Sequence, residues 1–157
     1  VASEQTAKVY WNEYGVASMT LRPYTIYGLG RDQGLTSEPT KAMFAAARGE
    51  NFHIAFGGTM QFHYASDVAQ QFLAAAEELC QGALAFNLGT TPVAVSDVAL
   101  AIMAECLGVT ITCADTILPF PIGCDDSALR AHTTHVYETP LATGVAATIA
   151  AFTQLNR

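Results

Sequence analysis

The run ALAFNLG, residues 83–89, constrains the fold more than any other stretch of this chain. It is apolar but for Asn87, too short for a helix, and stopped by glycine on either side. A continuous apolar strand of this kind predicts burial on both faces, which a parallel sheet flanked by helices provides. The remaining sequence supplies those helices in alternation with further strands. VASMTLR (16–22) alternates and then meets Pro23, predicting a strand and a turn. Thr36 or Ser37 is placed to cap a helix with Pro39 in its first turn, running to Arg48 before Gly49. FHIAF (52–56) and QFHYA (61–65) predict short extended pieces. Ser66 is expected to cap a helix from Asp67 to about Leu79, and Ser96 one that ends near Leu107. VTITC reads as a strand, DDSALR as a short helical turn, and 140–155 as a last helix with Leu141, Val145, Ile149 and Phe152 on one face. Helices alternating with strands define an α/β fold.

The first residues, VASEQTAKVYWNEYG, predict a helix with an end but no beginning. Glu4 precedes Lys8 in the favourable order, Ala7, Tyr10 and Tyr14 recur at helical spacing, and Gly15 provides the stop. No Ser, Thr, Asp or Asn stands ahead of the first periodic residue, so the expectation is that a segment precedes Val1.

Charge narrows the partners. Seven Lys and Arg against fourteen Asp and Glu give −7, and the cations are scattered. Nucleic acid and anionic membrane surfaces both require a basic patch, so neither is expected. No apolar run approaches the roughly 20 residues that span a bilayer. Cys80, Cys106, Cys113 and Cys124 form no CxxC pair and sit in apolar segments, predicting buried free thiols and a cytoplasmic setting. Cys113, Cys124, His132 and His135 match no common zinc spacing, and no metal site is expected.

The loop Gly28-Leu29-Gly30-Arg31-Asp32-Gln33-Gly34 imitates a dinucleotide fingerprint. Its spacing is GxGxxxG, the helix begins late, and the next strand ends in Phe56-Gly57 with no acidic residue for a ribose. A flexible loop on the substrate side is expected instead.

LRPYTIYGLG, QFHYASDVA, AFNLG and DDSALR…TPLATGVAATIAAF occur in an order and spacing that resembles the C-terminal half of an extended short-chain dehydrogenase/reductase. The branch it resembles is the NAD-dependent epimerase/dehydratase family, which includes the nucleotide-sugar epimerases. The resemblance implies the C-terminal part of an extended Rossmann-type fold with its substrate-binding subdomain, residues 1–157 forming a single incomplete domain. It places the family's catalytic Tyr-x-x-x-Lys immediately before Val1, and the glycine-rich nucleotide-binding half upstream of that. No catalytic residue is therefore expected within the chain, and NAD or NADP is expected to need the missing half.

The same resemblance assigns Pro23, Tyr24 and Thr25 to the nicotinamide end of the cofactor, with Thr25 also reaching substrate. Thr36, Ser37 and Lys41 fall where the substrate loop enters its helix, and a helix N-terminus with a cation suits an anion. Gln61 and Arg130 complete the expected substrate set. Asp67 and Arg22 are expected to be structural, Arg22 as a buried ion-pair or hydrogen-bond partner. His63 is read as a structural histidine on the Gln61 face of its strand. Two departures bear on substrate. Met60 stands where nucleotide-sugar epimerases carry a diphosphate-clamping arginine, and TILPFPIGC brings no second cation. A smaller or differently anchored hydroxyl or carbonyl compound then joins the sugar nucleotides as a candidate substrate.

Two other readings compete. One is a stand-alone α/β binding or oligomerisation module without catalysis, which would carry polar residues on faces the missing half normally covers. A mean hydropathy of +0.26 and only 13% charged residues speak against that and predict self-association, through the first helix or exposed apolar strands. The other is a small enzyme built on Ser127 with His132 or His135, for which the sequence offers no positioning.

Overall fold

The computed structural model describes residues 2–155. Helix α1 spans Ala2–Tyr14, and Gly15, at φ +66°, ends it by donating its N–H to the Trp11 carbonyl. Strand β1 (Ser18–Arg22) pairs in parallel with β5 (Ala83–Asn87), Leu21 opposite Phe86. Along β1, Met19 and Leu21 face one side and Thr20 and Arg22 the other. The Met19 and Leu21 side packs on Val68 of α3 (Ala65–Glu77), Leu88, and Leu129 of α5 (Ser127–His132). On the other side Arg22 meets α1, whose Glu4 carboxylate holds its guanidinium through two bonds of 2.6 Å. The Arg22 side chain is half exposed, so the ion pair is a surface one rather than the buried pair expected. Lys8 reaches Glu4 only as a longer-range charge.

Strand β5 also departs from expectation. No residue of it is fully buried, and Ala85 is exposed. Among the described residues the cover on that face comes from α1, none of whose own residues is buried. The apolar run is thus covered on one face and thinly covered on the other.

A second, larger core lies among α2 (Glu38–Ala47), α4 (Val95–Glu105) and α6 (Leu141–Leu155) and the short strands beneath them. Strand β4 (Thr59–Tyr64) sits centrally, parallel to β2 (Thr25–Tyr27) and antiparallel to β6 (Pro92–Ala94). Strands β3 (Phe52–Ile54) and β7 (Ile111–Cys113) pair in parallel alongside. Met43, Ile54, Phe56, Ile102 and Val145 fill the interior. Tyr27 reaches α6 at Gly144, where a Cβ would stand 2.1 Å from the phenol oxygen, so only glycine admits the helix this close.

Local chemistry moves several predicted boundaries. Ser66 and Ser96 are already inside α3 and α4, whose N-caps are Tyr64 and Ala94. Each helix continues directly from a strand, so the extended residue before it takes the cap position. Ser37 is the N-cap of α2, yet its hydroxyl turns back to the Gly34 carbonyl at 2.7 Å and caps nothing. Thr25 is the first residue of β2 rather than part of a turn, and β6 falls in a segment with no predicted element. The four cysteines are free and only partly buried.

Candidate functional site

Where β1 gives way to β2, the chain passes Pro23 and Tyr24 and enters a cleft of about 270 Å³. One wall is β4 with the Gly57-Gly58 turn before it, and the other is the segment 117–122. Backbone contacts hold that segment in place at both ends. Gly57 donates its N–H to the Thr116 carbonyl at 2.8 Å, and Gln61 donates to that of Ile122 at 2.9 Å. A Cβ on Gly57 would lie 2.2 Å from the Ala114 carbonyl oxygen, so the two backbones meet only because residue 57 is glycine. The Gln61 side chain then closes the far end. Its Oε1 accepts from the Cys124 N–H at 2.8 Å and its Nε2 donates to the Cys124 carbonyl at 3.2 Å. Gly123 packs against the same amide.

The interior of the cleft is apolar. Ile117, Leu118, Phe120 and Ile122 face Tyr24 and Met60. The Tyr24 hydroxyl donates to the Pro121 carbonyl, and burial pushes its pKa up, with the nearby Cys124 adding to the effect. Thr25, 3% exposed, turns its hydroxyl to the Met60 sulfur at 3.6 Å. Proline has no amide hydrogen, and both hydroxyls have spent their one proton, so 23–25 can offer a nicotinamide only hydroxyl lone pairs and backbone groups. Nor do the residues present make a phosphate cradle. Gly34 lies four residues ahead of α2, and Ser37 folds into the gap. These residues do not by themselves fit a whole dinucleotide.

The sequence-predicted residues therefore divide. Tyr24 lines the cleft, Pro23 and Thr25 flank it in the chain with Thr25 buried behind Met60, and Gln61 clamps its wall. Thr36, Ser37 and Lys41 stand at the start of α2, away from the cleft lining, and Ser37 has no exposed surface. Arg130, on α5, holds Asp126 at 2.8 Å and Glu138 at 3.7 Å, and the Asp126 bond raises its pKa. Asp67 accepts from the Thr139 N–H and hydroxyl at 2.6 and 2.7 Å, tying α3 to the approach of α6. Ser127 bonds Asp125, whose pKa it lowers, while His132 pairs with Glu78 at 3.6 Å and stacks on Phe86. No serine–histidine pair forms there. His63 is buried with its Nε2 unpartnered, and burial lowers its pKa.

The apolar wall 117–122 was missed as site material, although LPFPIG carried a signal. An apolar loop whose Ile117, Phe120 and Ile122 stay exposed marks a surface suited to covering an apolar ligand or partner. Among the described residues no group of three or more His, Cys, Asp or Glu stands together to hold a metal, and no helix is long and apolar enough to cross a membrane.

Parallel β1–β5, the crossover through α2 and α3, and a cleft at the end of β1 together describe a Rossmann-type α/β fold. The model of the NAD dependent epimerase/dehydratase family matches residues 1–89, more than half of the chain, and the chain belongs to that family. A partial consensus L-threonine 3-dehydrogenase shares the fold at TM-score 0.82 and 19% identity, over 98% of this chain and 54% of its own. UDP-glucuronic acid 4-epimerase from Bacillus cereus, in complex with UDP-glucuronic acid and NAD, superposes at 0.77 and 19%, over 98% and 51%. UDP-N-acetylglucosamine 4-epimerase from Methanobrevibacter ruminantium gives 0.80 and 17%, over 98% and 52%. The chain thus spans about half the length of these structures. A comparison with curated proteins finds no match.

Proposed function

We propose that this chain is the substrate-binding portion, an incomplete domain, of an NAD(P)-dependent epimerase, dehydratase or reductase acting in the cytoplasm. The substrate is a sugar nucleotide or a related hydroxyl or carbonyl compound, and the cleft favours the second. The observation that carries this reading is the cation-free cleft itself. Seven of its lining residues are apolar side chains or tyrosine, and no described Lys or Arg is among them. A diphosphate needs charge-assisted donors, ideally a guanidinium, and Met60 offers none. L-threonine 3-dehydrogenase, among the structures that share the fold, is named for a substrate without a diphosphate.

In this reading Tyr24 and Met60 bound the substrate, Thr25 fixes Met60 from below, and Gln61 sets the opposite wall. Thr36, Ser37, Lys41 and Arg130 are left out. The nicotinamide cofactor supplies the hydride chemistry and is held mainly by sequence outside residues 1–157. A homo-oligomer formed through α1 is part of the same proposal, since Val9, Tyr10 and Tyr14 are all more than half exposed.

The test compares the 157-residue chain with the polypeptide encoded when the source reading frame is extended upstream of Val1. Each is offered UDP-glucose, UDP-glucuronic acid, L-threonine and short vicinal diols with NAD or NADP, and product formation is followed by NMR together with reduced cofactor, because an epimerase or dehydratase returns its cofactor oxidised. Turnover is expected only in the extended chain and only with substrates lacking a diphosphate. Turnover by the 157-residue chain would overturn the division of labour, and preference for a UDP-sugar would overturn the substrate class.

A further inference from the structure

Cations are scarce in this chain, and most described arginines are spent on carboxylates. Arg22 holds Glu4, Arg48 holds Glu50, and Arg130 holds Asp126 and Glu138. Arg31 and Lys41 hold no carboxylate among the described residues, and both line one cavity of about 250 Å³. It opens between the glycine loop, α2 and α6, shares no lining residue with the first cleft, and excludes Glu38, one turn before Lys41, whose carboxylate accepts from the Ala55 N–H. It is thus separate from the cleft at Tyr24 and Met60.

The cavity combines a fixed cation with an aromatic floor. Arg31 Nη1 donates to the Gln33 carbonyl and Nη2 to the Thr36 hydroxyl at 3.3 Å. Gly34 lies flat beneath the guanidinium, where a Cβ would come within 3.0 Å of Nη1. Two of five guanidinium donors are used, so the group is oriented in advance and still able to bind. The Lys41 ammonium has no hydrogen-bond or ion-pair partner among the described residues. Phe44 and Phe152 form the floor in an edge-to-face contact with centroids 5.2 Å apart, and Arg48 lies 5.6 Å from the Phe44 centroid on its own side. Asp32 is also in the lining, which leaves one net positive charge from Arg31, Lys41 and Asp32.

We propose that this cavity binds a small aromatic monocarboxylate, the carboxylate between Arg31 and Lys41 and the ring on Phe44 and Phe152. One net positive charge matches a monoanion and not a phosphate dianion, and a bare phosphate leaves the aromatic floor unused. The volume falls just below that of sites for drug-sized ligands, which suits a body of one or two rings. The inference is independent of the cleft and its substrate.

The test uses the 157-residue chain and amide NMR with three probes, 2-naphthoate, uncharged 2-naphthamide and inorganic phosphate. Saturable shifts at Gly30, Arg31 and Lys41 are expected with 2-naphthoate, and about tenfold weaker binding of the other two. Lys41→Gln, an exposed change that leaves the fold untouched, should weaken 2-naphthoate by about tenfold. Phe44→Leu, which keeps the charges, should weaken it as well. Naphthamide binding as tightly would reduce the cavity to an apolar surface, and phosphate binding as tightly would reduce it to an ionic one. Either result, an unchanged Lys41→Gln, or no saturable shift overturns the proposal.

Discussion

His63 shows how one buried side chain can make stability depend on pH. It sits on β4 with its Nε2 unpartnered, facing Val68, Gln71 and Leu129. Burial lowers its pKa, while Glu138, Asp126 and Asp67 oppose the shift without cancelling it. In the unfolded chain it titrates near an ordinary histidine, about 6.5. The folded state therefore binds fewer protons than the unfolded one below that value, and stability falls as pH drops through it. The expected outcome is that the wild type loses more melting temperature than His63→Gln between about pH 7.5 and 5.5. Other titrating groups are common to both proteins, so equal losses would show that His63 is not the sensor. The alternation in QFHYA put His63 on the Gln61 face but gave no hint of burial on both faces, which depends on α3, α5 and the 122–124 segment arriving from distant sequence.

Among the elements, β4 is the hub. It pairs with β2 and β6 and carries the clamp on the cleft wall. Replacing Gln61 by leucine leaves the Cys124 N–H and carbonyl without their partners, a loss of about 1–3 kcal/mol. Hydrogen exchange should rise at Cys124 and through 117–124 while α4 and α6 stay protected; unchanged protection at Cys124 would mean that the clamp is not what holds the segment. Elements with strong periodicity were legible in the sequence, α1, α2, α3, α4 and α6 among them. Pro92–Ala94 was not, because three residues beginning with proline carry no alternation and owe their strand to Thr59–Gln61 opposite. Serine caps were misplaced for a related reason, since a helix fed directly by a strand starts where the strand stops. The cleft was half legible: Pro23, Tyr24 and Thr25 came from LRPYTIYGLG and Gln61 from QFHYA, but its apolar wall came from a loop with no pattern. The Arg31 and Lys41 cavity was hidden because the glycine loop was expected to be flexible, whereas Arg31 pins it to Gln33 and Thr36.

For the molecule as a whole, the uneven cover of β1 and β5 sets the expected behaviour. Tyr10 and Tyr14 lie 5.6 Å apart on the outside of α1, and Ala85 is open on the sheet face that α1 only partly shields. The proposed homo-oligomer follows from burying that surface. Sedimentation of the 157-residue chain should show a concentration-dependent dimer or larger species, and Tyr10→Ser with Tyr14→Ser should shift it to monomer with helicity retained. A wild-type monomer at all concentrations would rule out α1 as the contact.

The segment 117–122 is fastened almost entirely through main-chain atoms, from Gly57 to Thr116, from Tyr24 to Pro121, and from Gln61 to Ile122 and Cys124. The side chains of Ile117, Leu118 and Phe120 contribute nothing to those fastenings. The stretch is therefore an exchangeable cassette. Leu118 packs on the larger core and has to stay apolar, but at the exposed positions Ile117, Phe120 and Ile122 the side chains can be rewritten, and the selectivity of the cleft can drift, or be redesigned, without renegotiating the scaffold.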